Sequence, residues 1–164
     1  MESLPDLTEV TTGMQAAMHA SRELASRIAR DLGMPVTDVT AVGLLLQLGP
    51  MTVGTLARRL DVRTASATVL VDRLVAAGRV VRRPHPDDRR SVLVDVTPAG
   101  AAESWAHWEP VIRAMDAVAR AMTPDERAVV VRYLREVASL HALRSGDSPS
   151  TGSGEVTRPV RPTG

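Results

Sequence analysis

Cysteine and phenylalanine are both missing from this chain of 164 residues. The absence of cysteine excludes disulfide bonds, thiolate metal sites and thiol-based redox sensing. Aromatic residues make up only 2% of the chain, so a hydrophobic core must be built from Leu, Val, Ala, Ile and Met. The hydrophobic fraction of 44% is that of an ordinary globular protein, and the length predicts one domain with a sizeable core.

Long hydrophobic runs are missing as well. Apolar stretches such as residues 42–46 are far too short to cross a bilayer. Residues 1–6 lack the basic start and the apolar stretch of a secretion signal. We therefore expect a cytoplasmic protein that does not enter the membrane.

Lysine is absent, so all 20 basic residues are arginine. Biased codon usage in a GC-rich genome explains this, although arginine also suits phosphate and guanine contacts. The net charge is −3 over residues 1–54, +4 over residues 55–95 and zero over residues 96–164. A basic middle between acidic and neutral ends is typical of a protein that binds a polyanion.

Two helices are predicted before the basic middle. Apolar residues recur at steps of three and four over residues 7–32, where Gly33 and Pro35 end the pattern. A second, more apolar helix is predicted over residues 37–48, and Gly-Pro at residues 49–50 ends it.

A helix-turn-helix is predicted in the basic middle. Thr52 is a candidate N-cap for a short helix that includes Leu60, and residues 61–64 form a tight turn. A second helix is predicted over residues 65–77, with Gly78 as its stop. Two short helices joined by a few residues, the second rich in Ser, Thr and Arg, indicate this motif.

A hairpin follows the helix-turn-helix. Residues 79–83 and 91–96 are β-branched runs that predict strands, and the basic loop 84–90 joins them. In this position along the chain, a hairpin is a candidate wing.

Two further helices are predicted after the hairpin. Thr97 and Pro98 start one that extends to Met122. Residues 123–126, Thr-Pro-Asp-Glu, start the other with a capping box. Residues 145–164 are rich in Gly, Ser, Thr and Pro and predict a disordered tail.

Residues 79–100 read RVVRRPHPDDRRSVLVDVTPAG, which combines a Pro-x-Asp-basic-Arg turn, an alternating Val/Leu strand and Thr-x-x-Gly. This stretch resembles the wing of the MarR (multiple antibiotic resistance regulator) family. The sequence LARRLDVRTASATVLVDRLVAAGRVVR resembles the helix-turn-helix of the same family. The resemblance covers roughly residues 36–144, and the order of the helices extends it to the N-terminal helix.

The resemblance implies a fold that is mainly α with a small β-hairpin wing, a winged helix-turn-helix with N- and C-terminal dimerisation helices. It assigns residues 1–35 to an N-terminal dimerisation helix and residues 36–97 to the DNA-binding domain. Residues 98–144 become the C-terminal dimerisation helices, and residues 145–164 the disordered tail.

The function that the resemblance implies is sequence-specific transcriptional regulation. We expect a homodimer that binds a palindromic operator in double-stranded DNA, with recognition helices in major grooves and wings at flanking minor grooves. Many members of the family release DNA when a small, often phenolic, ligand binds, so the expectation is a ligand-responsive repressor.

The resemblance implies that the recognition helix points four side chains toward DNA, namely Thr64, Ser66, Thr68 and Arg73. Short hydroxyls near a helix start can meet base edges or phosphates, and arginine reads guanine or clamps a phosphate. The chain departs from the family in two places. Val69 stands where a basic residue is common, and Arg63 stands where a capping Ser or Asp is common. Backbone binding is therefore better supported than base readout, with Arg63 as a candidate phosphate contact.

In the wing, Arg90 resembles the family's arginine that enters the minor groove. Asp88 is expected to hold it by a charge-assisted hydrogen bond, and Arg89 is expected to meet phosphate. The alternative is an exposed turn with a surface ion pair of under about 1 kcal/mol.

A ligand pocket is the weaker part of the prediction. Trp105 and Trp108 lie three residues apart on one predicted helix, and Met14 and Met18 lie on the first. These four residues are candidates to line a pocket for a phenolic or aromatic effector. Ordinary core packing or a dimer contact is the competing interpretation.

No metal or cofactor is expected. Glu103 and His107 have the four-residue spacing of a helical metal site, but the other histidines are scattered and no dense ligand set appears. A catalytic motif is also missing: the sequence has no phosphate-binding glycine loop and no Ser/His/Asp signature, so an enzyme is not expected. A non-specific DNA architectural factor or a protein-interaction module on the same shell is the alternative to a regulator.

Overall fold

A computed structural model describes residues 6–88 and 90–144, with side chains described as far as residue 140. Within these residues the elements are α1 (Glu9–Asp31), α2 (Val36–Leu48), β1 (Met51–Thr52), α3 (Val53–Leu60), α4 (Thr64–Ala76), β2 (Val80–Pro84), β3 (Val92–Val96), α5 (Pro98–Ala121) and α6 (Pro124–Arg144). The prediction of a mainly α fold with one β-hairpin is confirmed. The predicted tail lies outside the described residues. None of the described helices is both long and apolar enough to cross a membrane.

Helices α3 and α6 begin with the side-chain caps that the sequence predicts. Thr52 accepts a hydrogen bond of 3.2 Å from the backbone N–H of Thr55 and caps α3. At α6 the capping box is complete, because Glu126 accepts from the N–H of Thr123 and Thr123 accepts from the N–H of Glu126. The hydrogen bonds that Glu126 accepts from the backbone and the side chain of Thr123 lower the pKa of Glu126.

A three-stranded antiparallel sheet has the order β1-β3-β2. Val94 of β3 lies between Met51 of β1 and Arg82 of β2. The hairpin of β2 and β3 was predicted, but β1 was not. Two residues are too few to show a periodic pattern, and β1 is a strand only because it pairs with β3.

The described residues divide between two compact units, one that ends at residue 107 and one that starts at residue 108. In the first unit, the core joins α2, α3 and α4 to the sheet. Its buried members are Ala41, Val42, Leu45, Met51, Leu56, Leu70, Val71, Leu74, Val80 and Val94. Burial of this face fixes which side of α4 turns inward and which side is left to solvent.

The second unit comprises the later part of α5 and α6. Its large apolar side chains are mostly exposed in the single chain. They include Ile112, Met115, Val118, Val129, Val130, Val131, Leu134 and Leu140. Ion pairs at i,i+4 spacing, Glu109 with Arg113 and Asp116 with Arg120, add support along α5.

Backbone approaches backbone where β2 meets the start of α5. A Cβ atom on Gly100 would lie 2.3 Å from the carbonyl oxygen of Arg79. The Thr97 hydroxyl donates to the carbonyl of Gly78 at 2.7 Å.

The Arg79 side chain forms a bidentate ion pair with Glu103, with N···O distances of 2.6 and 3.0 Å. This pairing raises the pKa of Arg79 and lowers the pKa of Glu103.

Gly100→Ala is expected to lower the free energy of unfolding by roughly 1–3 kcal/mol, because the new methyl group meets backbone that cannot rotate away. Thermal unfolding of the purified variant measures this. Gly43→Ala is the matched control, since a Cβ atom there meets nothing within 4 Å. In the middle of α2 that substitution should stabilise the protein by about 0.5–1 kcal/mol. A Gly100→Ala protein as stable as the wild type would contradict the close approach.

Candidate nucleic-acid interface

The turn between α3 and α4 places the start of α4 at the surface. Asp61 ends α3 in the left-handed conformation, with φ 53°. Arg63 then occupies the N-cap position of α4 without a side-chain capping bond. A guanidinium has no acceptor, so Arg63 cannot satisfy the first N–H groups of the helix as Ser or Asp would. These N–H groups and the exposed Arg63 side chain together form an anion-attracting end.

Three of the predicted recognition residues lie on the exposed first half of α4. Thr64, Ser66 and Thr68 are all exposed, and the Thr68 hydroxyl donates to the carbonyl of Thr64 at 3.0 Å. The opposite face is buried in the core and consists of Ala67, Leu70, Val71 and Leu74. The structure therefore leaves all three predicted hydroxyl residues exposed near the start of α4, with Thr64 and Thr68 one turn apart.

Arg73 has an intramolecular partner that the sequence did not reveal. Its Nε and Nη2 atoms donate to the two carboxylate oxygens of Asp38 at 2.8 and 2.7 Å. Asp38 lies in the first turn of α2 and is only 1% exposed, whereas the Arg73 side chain is 49% exposed. The hydrogen bonds to Asp38 raise the pKa of Arg73. The predicted contact of Arg73 with DNA stays a prediction.

Carboxylates neutralise several arginines of the basic middle. Besides the pairs of Arg73 and Arg79, Arg82 of β2 pairs with Asp72 of α4 at 2.7 Å, and Arg83 pairs with Asp95 at 3.2 Å. Arg58, Arg63 and Arg90 are exposed and take part in none of these four pairs. Fewer arginine charges are therefore available to an anionic ligand than the number of arginines in the basic middle indicates.

The wing loop is organised by Asp88. Its carboxylate accepts from the backbone N–H of Arg90 at 3.0 Å and from the Ser91 hydroxyl at 2.6 Å. Both hydrogen bonds lower the pKa of Asp88, and the bond from Ser91 has the larger effect. The predicted link between Asp88 and Arg90 is thus made by the backbone of Arg90, while Arg90 itself is exposed. Arg89 lies outside the described residues.

His85 is a wing residue that the sequence analysis missed. Its Nδ1 atom accepts from the backbone N–H groups of Asp87 and Asp88, both at 3.2 Å. An accepting Nδ1 places the proton of the neutral ring on Nε2. The position of His85 in the loop could have revealed this role, because His85 comes two and three residues before the N–H groups from which it accepts. A side-chain acceptor with that spacing is typical of an Asx-like turn.

The candidate ligand residues lie on two helices. Met14 and Met18 are half-buried on α1, and Trp105 and Trp108 are half-buried on α5. A small cleft in the first unit is lined by other residues: Leu32, Met34, Val39, Val42, Arg79, Gly100, Glu103 and Ser104. The predicted role of the two methionines and two tryptophans in ligand binding stays a prediction.

The candidate metal pair is used within the protein. The Glu103 carboxylate pairs with Arg79, and His107 Nδ1 lies 2.9 Å from the carbonyl oxygen of Glu103. Among the described residues, no group of three His, Asp or Glu side chains is arranged to hold a metal ion.

Comparison with known sequences identifies the same region. The family model described as the MarR family matches residues 35–92. The chain is also similar to YcgE of Bacillus subtilis (strain 168), an uncharacterized HTH-type transcriptional regulator. The two are 31% identical over 112 residues, which cover 68% of this chain and 73% of YcgE.

Comparison with solved structures supports the fold. A mutant of MarR from Escherichia coli, complexed with operator DNA, matches with a TM-score of 0.51 and 25% identity over 78% of this chain and 92% of that one. NadR in complex with 4-hydroxyphenylacetate matches with a TM-score of 0.62, over 84% of this chain and 98% of that one. At 22% identity the likeness to NadR shows the fold alone. Sequence and structure agree, and this chain belongs to the MarR family.

Proposed function

We propose that this protein is a sequence-specific DNA-binding transcriptional regulator that acts as a homodimer on a palindromic operator. The observation that carries the proposal is the arrangement of α4 and the wing on one core. The exposed half of α4 begins at Arg63, and the wing carries the exposed Arg90. A mutant of MarR from the same family was solved in complex with operator DNA, and this likeness supports DNA binding by the present chain.

In this proposal the start of α4 enters a major groove. Thr64, Ser66 and Thr68 meet base edges or phosphates, and Arg63 meets a phosphate beside the helix start. Asp38 and Arg82 hold α4 through Arg73 and Asp72, so the recognition helix meets DNA without a prior reordering. Preorganisation of this kind lowers the entropic cost of binding.

The wing meets the flanking minor groove. Asp88 fixes the turn through its bonds to the Arg90 backbone and to Ser91, and the Arg90 side chain enters the groove. A narrow A·T-rich minor groove concentrates negative potential and attracts such an arginine. Arg89 is proposed to contact phosphate, and Arg73 is proposed to contact DNA through the exposed part of its side chain.

A second copy of the chain is proposed to cover the exposed apolar surface of α5 and α6. Soluble monomers rarely leave large contiguous apolar surface in water, and the second unit exposes eight large apolar side chains among its described residues. A dimer with two-fold symmetry presents two recognition helices, which matches a palindrome with half-sites about 10 bp apart.

Selection from random duplex DNA with the purified protein tests the function. The expected result is an enriched palindrome with half-sites about one helical turn apart, bound roughly 10³-fold or more tighter than random DNA. Salt-dependent binding without sequence preference would favour the architectural alternative. Absence of any salt-dependent DNA binding would favour a protein-interaction module.

Arg90→Ala is expected to weaken binding to the selected operator by about tenfold, because the minor-groove contact is lost. The loss should be largest for operators with A·T-rich flanks, as measured by titration at fixed salt. Arg22→Ala, an exposed arginine of α1, changes the net charge equally and should leave affinity nearly unchanged. Equal losses in the two variants would mean that Arg90 contributes only to the overall charge.

Repression that a phenolic or aromatic effector relieves is the second part of the proposal. NadR was solved with 4-hydroxyphenylacetate, and Met14, Met18, Trp105 and Trp108 are the candidate contacts in this chain. Because the chain has only two tryptophans, indole fluorescence reports on Trp105 and Trp108 alone. Titration of the operator complex with 4-hydroxyphenylacetate is expected to release DNA and to change this fluorescence together. Release with unchanged fluorescence would place the effector elsewhere, and no release would exclude this compound as the effector.

A further inference from the structure

Val69 is the apolar residue at the centre of the exposed surface of α4. It is 60% exposed, whereas its neighbours Leu70 and Val71 are buried in the core. Packing within the chain therefore does not account for an apolar side chain here. Helix formation does not account for it either, because a β-branched residue at a solvent-facing position is a poorer helix former than Ala or Arg.

The residues one turn before Val69 are uncharged, and the charged residues one turn after it are paired within the chain. The residues one turn before it are Ala65 and Ser66, and Thr68 uses its hydroxyl proton on the carbonyl of Thr64. One turn after it, both charged residues are exposed but form ion pairs within the chain. Asp72 pairs with Arg82, and Arg73, which is the one arginine of α4, pairs with Asp38.

These contacts limit what the centre of α4 can read. Bidentate recognition of guanine needs a free arginine or lysine, and recognition of adenine by side-chain amides needs Asn or Gln. Neither stands beside Val69 on α4. Thymine is the base that presents a methyl group in the major groove, where it can lie against an apolar side chain.

We propose that Val69 contacts the C5 methyl group of a thymine and so specifies an A·T pair near the middle of each half-site. This inference rests on the proposed function and adds the residue and the base that it reads. It also accounts for valine at a position that binding to the DNA backbone alone would not require.

The experiment uses the duplex that selection enriches. Each thymine is replaced in turn by deoxyuridine, symmetrically in both half-sites, which removes the methyl group and keeps base pairing. At one position, wild-type affinity is expected to fall about fourfold for each methyl group, and so about fifteenfold for the pair. Val69→Ala should bind the thymine duplex about as weakly as the wild type binds that deoxyuridine duplex. The variant should also be indifferent to the replacement at that position.

Val36→Ala is the control, because Val36 is an exposed valine outside the recognition helix. It should keep the wild-type discrimination between thymine and deoxyuridine. Thermal unfolding should show that both variants are as stable as the wild type, since neither removes a buried side chain.

Two results would overturn the inference while leaving the proposed function intact. One is a Val69→Ala protein that discriminates thymine from deoxyuridine as well as the wild type at every position. The other is a wild-type protein that is insensitive to all of the replacements. A selection that enriches no duplex would instead overturn the proposed function itself.

Discussion

A carboxylate that is withdrawn almost completely from water has to be met by a cation, and in this protein Arg73 meets Asp38 through two hydrogen bonds. The half-exposed guanidinium is partly screened by solvent, so the pair is weaker than a fully buried one. Removing Arg73 would nevertheless leave a buried charge without compensation. Because Asp38 begins α2 and Arg73 lies on α4, this requirement fixes the rotation of the recognition helix relative to the core.

Local chemistry accounts for the part of the fold that the sequence predicts. Caps such as Thr52 and the Thr123–Glu126 box act within four residues, and the Val/Leu alternation of β3 repeats every two. Elements that need a distant partner were missed. The strand β1 depends on β3, which lies far along the chain, and no pattern in two residues announces such a pairing.

The candidate interface also combines features that follow from the local sequence with features that depend on distant parts of the chain. The exposed hydroxyls of α4 follow from helical periodicity, and so does the buried face opposite them. Which arginines remain available depends on tertiary contacts, because Asp38 lies 35 residues before Arg73 and Glu103 lies 24 residues after Arg79. Net charge by segment located the basic region, but only the folded chain shows which of its arginines form ion pairs with carboxylates.

The contact between Gly100 and Arg79 has a mechanical consequence. Side chains usually fill the space between two secondary-structure elements, and they can change rotamer when one element shifts slightly. At this junction the backbone of α5 lies directly against the backbone at the base of β2, with no room for even a methyl group. A displacement of the first turn of α5 therefore cannot be absorbed by a change of rotamer, and we expect the start of β2 to move together with it.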